Sequence, residues 1–282
     1  MGPKIVGVIG GGRMGAGIAQ VFAAIGAGVT VVESSADAVA AARDRLATGL
    51  RRAHERGKLD GEPAEVLDRV VFVTEVAALP RDAELVVEAV PEVIALKLDV
   101  LTAAEQAVGD AAVLATNTSS LSITEIGAAL ERPQTFLGMH FFNPVPASTL
   151  IEVVSAPATA QATTRRALEW VHALGKTEVL VKDSPGFATS RLGVLLGLEA
   201  IRMLEEGVAD AESIDRAMEL GYRHPMGPLR STDLVGLDVR LAIAEYLHRT
   251  LGERFAPPAL LREKVARGEL GRKSGQGFYT WD

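Results

Sequence analysis

The sequence predicts an α/β domain, its mostly parallel sheet covered by helices on both faces, followed by an all-α domain. Three observations carry this reading. Apolar runs and helical stretches alternate up to Asp183, the order that builds a parallel sheet. A glycine turn, Gly10-Gly-Gly-Arg-Met-Gly15, stands between the first apolar run and the first helical stretch. After Asp183-Ser-Pro-Gly186 the apolar runs stop and helical segments separated by Gly and Pro take over. The 282 residues suit about two domains. The boundary falls at Ser184–Gly186, dividing the chain into residues 1–183 and 184–282.

Strands are expected at Ile5 to Ile9, Val29 to Glu33, Val70 to Thr74, Leu85 to Glu88, Val113 to Thr116, Phe136 to Phe141, Ile151 to Val154 and Glu178 to Val181. Between them, Ala-rich stretches with apolar residues at three- and four-residue spacing predict helices over Met14 to Ile25, Ala36 to Arg56, Ile94 to Ala107 and Thr163 to Leu174. In the second domain helices are expected near 187–206, 211–220, 233–251 and 258–268, with a β-rich tail at Gly277 to Trp281.

The bulk composition removes several function classes. A formal charge of −7 argues against a general nucleic-acid binder, which needs a basic excess to meet phosphates. A local basic cluster on an acidic protein still suits an anionic ligand. With no cysteine, disulfides, thiolate catalysis and Cys-ligated metals are excluded, and no metal is expected. The N-terminal residues lack a signal-peptide pattern, and no uncharged apolar run approaches the ~20 residues of a membrane helix, so a cytoplasmic protein without a membrane partner is expected.

Gly10 to Gly15 fits G-x-G-x-x-G, the fingerprint of a Rossmann-type dinucleotide site. Gly10 permits the tight turn, Gly12 lets the backbone approach a pyrophosphate, and Gly15 lets helix and strand pack closely. Arg13 and Met14 open the helix, whose first N–H groups face the phosphates. Glu33, about 20 residues on at the end of the second strand, suits an adenosine ribose. Its charge repels a 2′-phosphate, and no Arg stands beside it before Arg43, so NAD is expected rather than NADP. A plain glycine turn is the bland alternative; the strand, helix and Glu33 in register count against it.

A nicotinamide enzyme needs a group that takes the alcohol proton, and histidine suits this near neutral pH. His54, His172 and His248 fall in polar or mixed helical stretches, and His224 precedes Pro225 in a loop. His140 ends an apolar strand and enters Phe141-Phe-Asn-Pro-Val-Pro146, at a strand's carboxyl end where open sheets bind ligands. Glu152 sits in Leu150-Ile-Glu-Val-Val154, and an acid there is costly to bury unless paired. A hairpin-like return from His140 would bring Glu152 beside the imidazole; spacing alone leaves open a Glu152 that faces solvent. Asn117-Thr-Ser-Ser-Leu121 follows another strand end, where its side chains either bind a substrate oxygen or nicotinamide or cap the next helix.

Together these segments resemble the 3-hydroxyacyl-CoA dehydrogenase family, in its short form resembling 3-hydroxybutyryl-CoA dehydrogenases. The resemblance covers nearly the whole chain: Gly10 to Gln20 (GGGRMGAGIAQ), Asn117 to Leu121 (NTSSL), His140 to Pro146 (HFFNPVP), Asp183 to Phe187 (DSPGF), Met226-Gly-Pro228, Gly236-Leu-Asp238 and Gly271 to Tyr279 (GRKSGQGFY). It implies that His140 is the general base, Glu152 its carboxylate partner and Ser119 the hydroxyl that binds the reacting oxygen. It also implies cofactor contacts from Glu33, Glu92, Lys97 and Asn117, leaves helix capping to Ser120, and implies a (3S)-3-hydroxyacyl-CoA substrate with a short chain.

One position departs from the family pattern. Ser190 stands where many members carry an Asn that helps hold the substrate, and losing such a contact can cost ~1–3 kcal/mol. Ser190 is retained as a weakened substrate contact. Arg52 and Arg56, one turn apart on the second helix, and Lys58 at its end are expected to meet CoA phosphates, as the family's basic residues in this region do; a solvated charged face is the alternative. The apolar stretch Leu192 to Ile201 supplies a core and, by resemblance to commonly dimeric relatives, a homodimer contact. Rival readings are a sugar-acid dehydrogenase of the gulonate type, an enzyme for carrier-protein-bound hydroxyacyl thioesters, and a non-catalytic nucleotide sensor on the same fold. A 3-hydroxyisobutyrate dehydrogenase is disfavoured because its catalytic Lys is not apparent in Phe187 to Leu192.

Overall fold

The computed structural model describes residues 1–281. It divides into two compact units, one ending at Asp183 and one starting at Ser184. In the first unit the order is β1 (Ile5–Ile9), α1 (Arg13–Ala24), β2 (Gly28–Val32), α2 (Ala36–Glu55), α3 (Pro63–Leu67), β3 (Val70–Val73), β4 (Leu85–Glu88), α4 (Ile94–Ala107), β5 (Val113–Thr116), α5 (Ile123–Gly127), β6 (Phe136–Phe141), β7 (Leu150–Ser155), α6 (Gln161–Ala173) and β8 (Thr177–Lys182). The second unit holds α7 (Thr189–Glu205), α8 (Ala211–Gly221), α9 (Pro228–Val235), α10 (Leu237–Leu251) and α11 (Ala259–Ala266).

Among the described residues eight strands form one sheet in the order β3-β2-β1-β4-β5-β6-β7-β8. All pairings are parallel except β6 with β7. The central strands carry near-continuous apolar runs because helices cover both faces. Every residue of β4, β5 and β6 is buried. At the edge, β8 is mostly exposed and carries Glu178 and Lys182, charges that discourage further strand pairing. The chain reverses its winding between β1 and β4, and the crevice at such a switch point is where open α/β sheets take ligands.

Local chemistry explains the helix starts. Ser35 caps α2 by accepting from the Ala38 amide at 3.2 Å, and Asp210 caps α8 through the Ser213 amide at 2.7 Å. α1 has no side-chain cap at its Gly12 start. In the second unit Val194, Leu198 and Ile201 of α7 pack with Leu229, Leu237, Leu247, Phe255 and Leu261 into a separate core.

Three details differ from the sequence reading. The helix expected near 233–251 is two helices, because Pro228 starts α9 earlier and Gly236, at φ +105, ends it and opens α10. The short helices α3 and α5 were not anticipated; five residues are too few to show a helical period. The tail forms no regular strand, only isolated bridges at Gly271–Gln276 and Gln276–Thr280. Buried Asp233 organises it instead, accepting from the Phe278 and Tyr279 amides and the Trp281 indole at 2.8–2.9 Å.

Candidate active site

The glycine loop is shaped by close approach. A Cβ on Gly15 would stand 1.7 Å from the Gly10 carbonyl oxygen, so α1 lies against β1 only with glycine there. Gly10 has φ +93, open to glycine, and a Cβ on it would meet Ala89 at the end of β4 at 2.9 Å. Gly12 differs, since a Cβ there would meet no protein atom within 4 Å. Protein packing therefore does not account for Gly12, and its open side leaves room for a pyrophosphate to approach the backbone. With α1 uncapped and no acid in its first turn, its N-terminus suits an anion. Arg13 begins α1 and is exposed, while Met14 is half-buried against the sheet core.

Glu33 follows β2. Its Oε1 accepts from the Gly11 amide at 2.7 Å and its Oε2 from the Ser34 amide at 3.2 Å, which fixes an anionic acceptor beside the glycine loop. Arg43 is occupied over the Phe72 ring, 4.9 Å from its centroid. Arg45, which the sequence reading did not consider, reaches the loop and donates to the Gly11 carbonyl at 3.4 Å. These features fit NAD.

His140 and Glu152 face each other across the antiparallel β6–β7 pair, in direct register. Nδ1 lies 2.8 Å from Glu152 Oε2, the carboxylate has no exposed surface, and the His140 side chain is 9% exposed. Glu152 therefore points inward beside the imidazole and not to solvent. The carboxylate places a proton on Nδ1, which leaves Nε2 as the nitrogen that accepts one. Phe142 packs on the imidazole, with ring centroids 4.3 Å apart. The other histidines behave as surface groups. His172 and His248 pair with Glu178 and Glu253, His54 is exposed at the end of α2, and His224 is half-buried in a loop.

The segment after β5 approaches the same end of the sheet. Asn117 Oδ1 accepts from the Phe141 amide at 2.8 Å, tying this segment to the residue after His140. Ser119 is half-buried, and its amide donates to Glu92 Oε1 at 3.1 Å. Ser120 is buried and does not cap α5; Ser122 does, accepting from the Glu125 amide at 3.2 Å. The cap falls two residues later because α5 itself starts at Ile123.

Lys97 has no exposed surface. Its Nζ sits 2.9 Å from Glu88 Oε1 and 3.2 Å from Glu92 Oε2, so its charge is spent inside the protein. Sequence reasoning passed over Glu88; an acid ending the otherwise apolar run Leu85-Val-Val-Glu88 was the available signal. Arg52, Arg56 and Lys58 are exposed at the end of α2, where positive charge also complements the helix terminus. Ser190 lies in the first turn of α7, half-buried. Among the described residues no cluster of three or more His, Asp or Glu could hold a metal, and no helix is long and apolar enough to cross a membrane.

A dinucleotide loop at the sheet's switch point, with a buried His–Glu pair on β6 and β7 of the same sheet, marks a nicotinamide-dependent dehydrogenase. Comparison with known proteins specifies which. The family model "3-hydroxyacyl-CoA dehydrogenase, NAD binding domain" matches residues 5–184, and "3-hydroxyacyl-CoA dehydrogenase, C-terminal domain" matches residues 186–281. The chain belongs to the 3-hydroxyacyl-CoA dehydrogenase family, an NAD-dependent oxidoreductase family.

It is 44% identical over 276 residues to a probable 3-hydroxybutyryl-CoA dehydrogenase of Deinococcus radiodurans, covering 98% of this chain and 99% of the relative. Among solved structures it resembles FadB2 of M. tuberculosis, with a TM-score of 0.95, 42% identity and full coverage of both chains. It also resembles the (S)-3-hydroxybutyryl-CoA dehydrogenase PaaH1 of Ralstonia eutropha, with a TM-score of 0.94, 39% identity and 99% of each chain covered.

Proposed function

We propose that the protein oxidises the 3-hydroxyl of a short (3S)-3-hydroxyacyl-CoA, such as 3-hydroxybutyryl-CoA, to the 3-ketoacyl-CoA, reversibly. The observation that carries the chemistry is the His140–Glu152 pair: a buried carboxylate at 2.8 Å holds the imidazole in the tautomer that accepts a proton at Nε2. Bound NAD would supply the acceptor for the hydride lost from C3.

His140 takes the hydroxyl proton as that hydride departs. Glu152 stabilises the resulting imidazolium through its negative charge. The Ser119 hydroxyl holds the oxygen that becomes the ketone. Gly10, Gly12, Arg13, Met14, Gly15 and Glu33 form the cofactor cradle, with Asn117 and Glu92 toward its nicotinamide end. Arg52, Arg56 and Lys58 take the CoA phosphates, and Ser190 contributes a short polar contact to the acyl thioester. The names of the 3-hydroxybutyryl-CoA dehydrogenase relatives support a short acyl chain.

The second unit serves substrate binding and dimerisation in this reading. Leu192 and Leu195 of α7, with Leu234 and Val235 of α9 and Val239 of α10, are exposed apolar side chains suited to a contact with a second copy. Light scattering on the purified protein is expected to give the dimer mass; a monomer would remove that part of the reading.

The substrate is tested by NADH formation from NAD with 3-hydroxybutyryl-CoA, a long-chain 3-hydroxyacyl-CoA, a carrier-protein-bound hydroxybutyryl thioester and gulonate. The highest kcat/KM is expected on 3-hydroxybutyryl-CoA. A higher value on gulonate or on the carrier-bound thioester would overturn the assignment.

A further inference from the structure

A chain of charged and hydroxyl groups runs from the core to Ser119. Glu88, at the end of β4, is fully buried. Its carboxylate accepts from the Thr116 hydroxyl at 2.6 Å, the Val90 amide at 2.7 Å and Lys97 Nζ at 2.9 and 3.1 Å. Lys97 passes the connection on to Glu92 Oε2 at 3.2 Å. The other Glu92 oxygen, Oε1, accepts a short bond from the Thr118 hydroxyl and one of 3.1 Å from the Ser119 amide. Thr118 Oγ in turn accepts from the Ser120 and Leu121 amides at 3.3 and 3.0 Å. One carboxylate and one hydroxyl thus hold three successive amides around Ser119.

We infer that Glu92, anchored by the buried Glu88–Lys97 pair and acting with Thr118, is a positioning residue that sets the place and orientation of Ser119. The physical reason is the expense of the arrangement. A fully buried ammonium and carboxylate lose their hydration, and apolar residues of similar volume often hold such a place at no loss of stability. What apolar residues cannot supply is a directed acceptor at Glu92, braced from behind by Lys97. The trio of Glu88, Lys97 and Glu92 also carries a net charge of −1 beside the loop, so Lys97 prevents two carboxylates from repelling each other there.

Ser119 must meet the reacting oxygen at hydrogen-bond distance, and misplacement by about 1 Å can cost ~10²-fold in rate. A carboxylate clamp on its own amide and on its neighbour's hydroxyl limits such drift. Sequence alone gives no sign of this link, because Glu92 and Ser119 are far apart in the chain and meet only through the parallel pairing of β4 with β5.

This inference rests on reading Ser119 as the group that holds the reacting oxygen. The test compares Glu92→Ala, Thr118→Val, Thr118→Ser and Ser119→Ala in the full-length enzyme, measuring kcat, both KM values with NAD and 3-hydroxybutyryl-CoA, and NADH affinity by fluorescence titration. Glu92→Ala and Thr118→Val are each expected to lower kcat at saturating NAD by about 10- to 100-fold; NADH affinity stays close to wild type in Thr118→Val and falls only in Glu92→Ala, which also loses a cofactor contact. Thr118→Ser, which keeps the hydroxyl, recovers most of the Thr118→Val loss. The Glu92→Ala/Thr118→Val double variant loses less than the product of the two single losses, because the two substitutions share the Thr118–Glu92 bond.

A Glu92→Ala loss that appears in NADH affinity with kcat intact would instead make Glu92 a plain cofactor contact and overturn the inference. An unaffected kcat in Glu92→Ala, beside a slowed Ser119→Ala, overturns it alone. An unaffected kcat in Ser119→Ala removes the underlying role of Ser119 and this inference with it.

Discussion

Replacing Glu152 by glutamine removes one negative charge while keeping size and shape. In the folded protein that charge lies fully buried, 2.8 Å from His140 Nδ1. During oxidation the imidazole becomes an imidazolium, and the attraction is felt mainly then. With charge centres about 4 Å apart and an effective dielectric near 20, the interaction is about 4 kcal/mol. At about 1.4 kcal/mol per decade this corresponds to a kcat lowered by roughly 10³-fold. A second effect acts in the same direction, because the glutamine amide can donate to Nδ1 and place the histidine proton on Nε2, the nitrogen that must accept.

The assay is NADH absorbance with saturating NAD and 3-hydroxybutyryl-CoA, beside NADH affinity and thermal unfolding as checks on the fold. A Glu152→Gln enzyme that folds, binds NADH and keeps kcat within a few-fold of wild type would refute the role of the carboxylate.

Other outcomes follow from the packing. Gly15→Ala is expected to abolish NADH binding, since its Cβ would meet the Gly10 oxygen at 1.7 Å, whereas Gly12→Ala should weaken NADH binding while changing unfolding free energy by no more than about 1 kcal/mol; fluorescence titration and urea unfolding read the two. Arg240, in the second core, is 7% exposed, and its Nε has no hydrogen-bond partner among the described residues. Burial lowers its pKa to about 10, so the folded state disfavours the cation at neutral pH, and stability should rise as pH climbs above about 10 and the folded protein loses the proton before the unfolded chain does. Arg240→Met should therefore raise unfolding free energy at neutral pH, by up to about 3 kcal/mol, and flatten that alkaline rise. Asp233→Asn turns an amide NH2 toward donors that now meet a carboxylate, and urea unfolding should show a loss of about 2–4 kcal/mol.

The strands and long helices of the first unit were legible because each carries its own signal. Leu85-Val-Val-Glu88 and Phe136 to Phe141 read as buried strands from composition, and Gly10 to Gly15 marks a turn whose glycines have separate steric reasons. The His140–Glu152 pair was half legible. Its residue types and spacing suggested a hairpin, but only the antiparallel register decides between an inward and a solvent-facing Glu152.

The least legible parts depend on distant partners. Lys97 reads as an ordinary helix charge, and nothing near it in sequence shows that Glu88 lies 2.9 Å away. Asp233 resembles any helical acid, yet it replaces a strand ladder in holding the tail. The break at Gly236 was hidden because apolar spacing continues across it, while positive φ is a property of the backbone alone.

The proposed chemistry depends on the proton acceptor at the end of β6. The most direct measurement is kcat of His140→Gln for 3-hydroxybutyryl-CoA oxidation, with NADH affinity followed in the same preparation. The expected result is a fall of about 10²–10⁴-fold with NADH still bound normally. Turnover near the wild-type rate would contradict the mechanism.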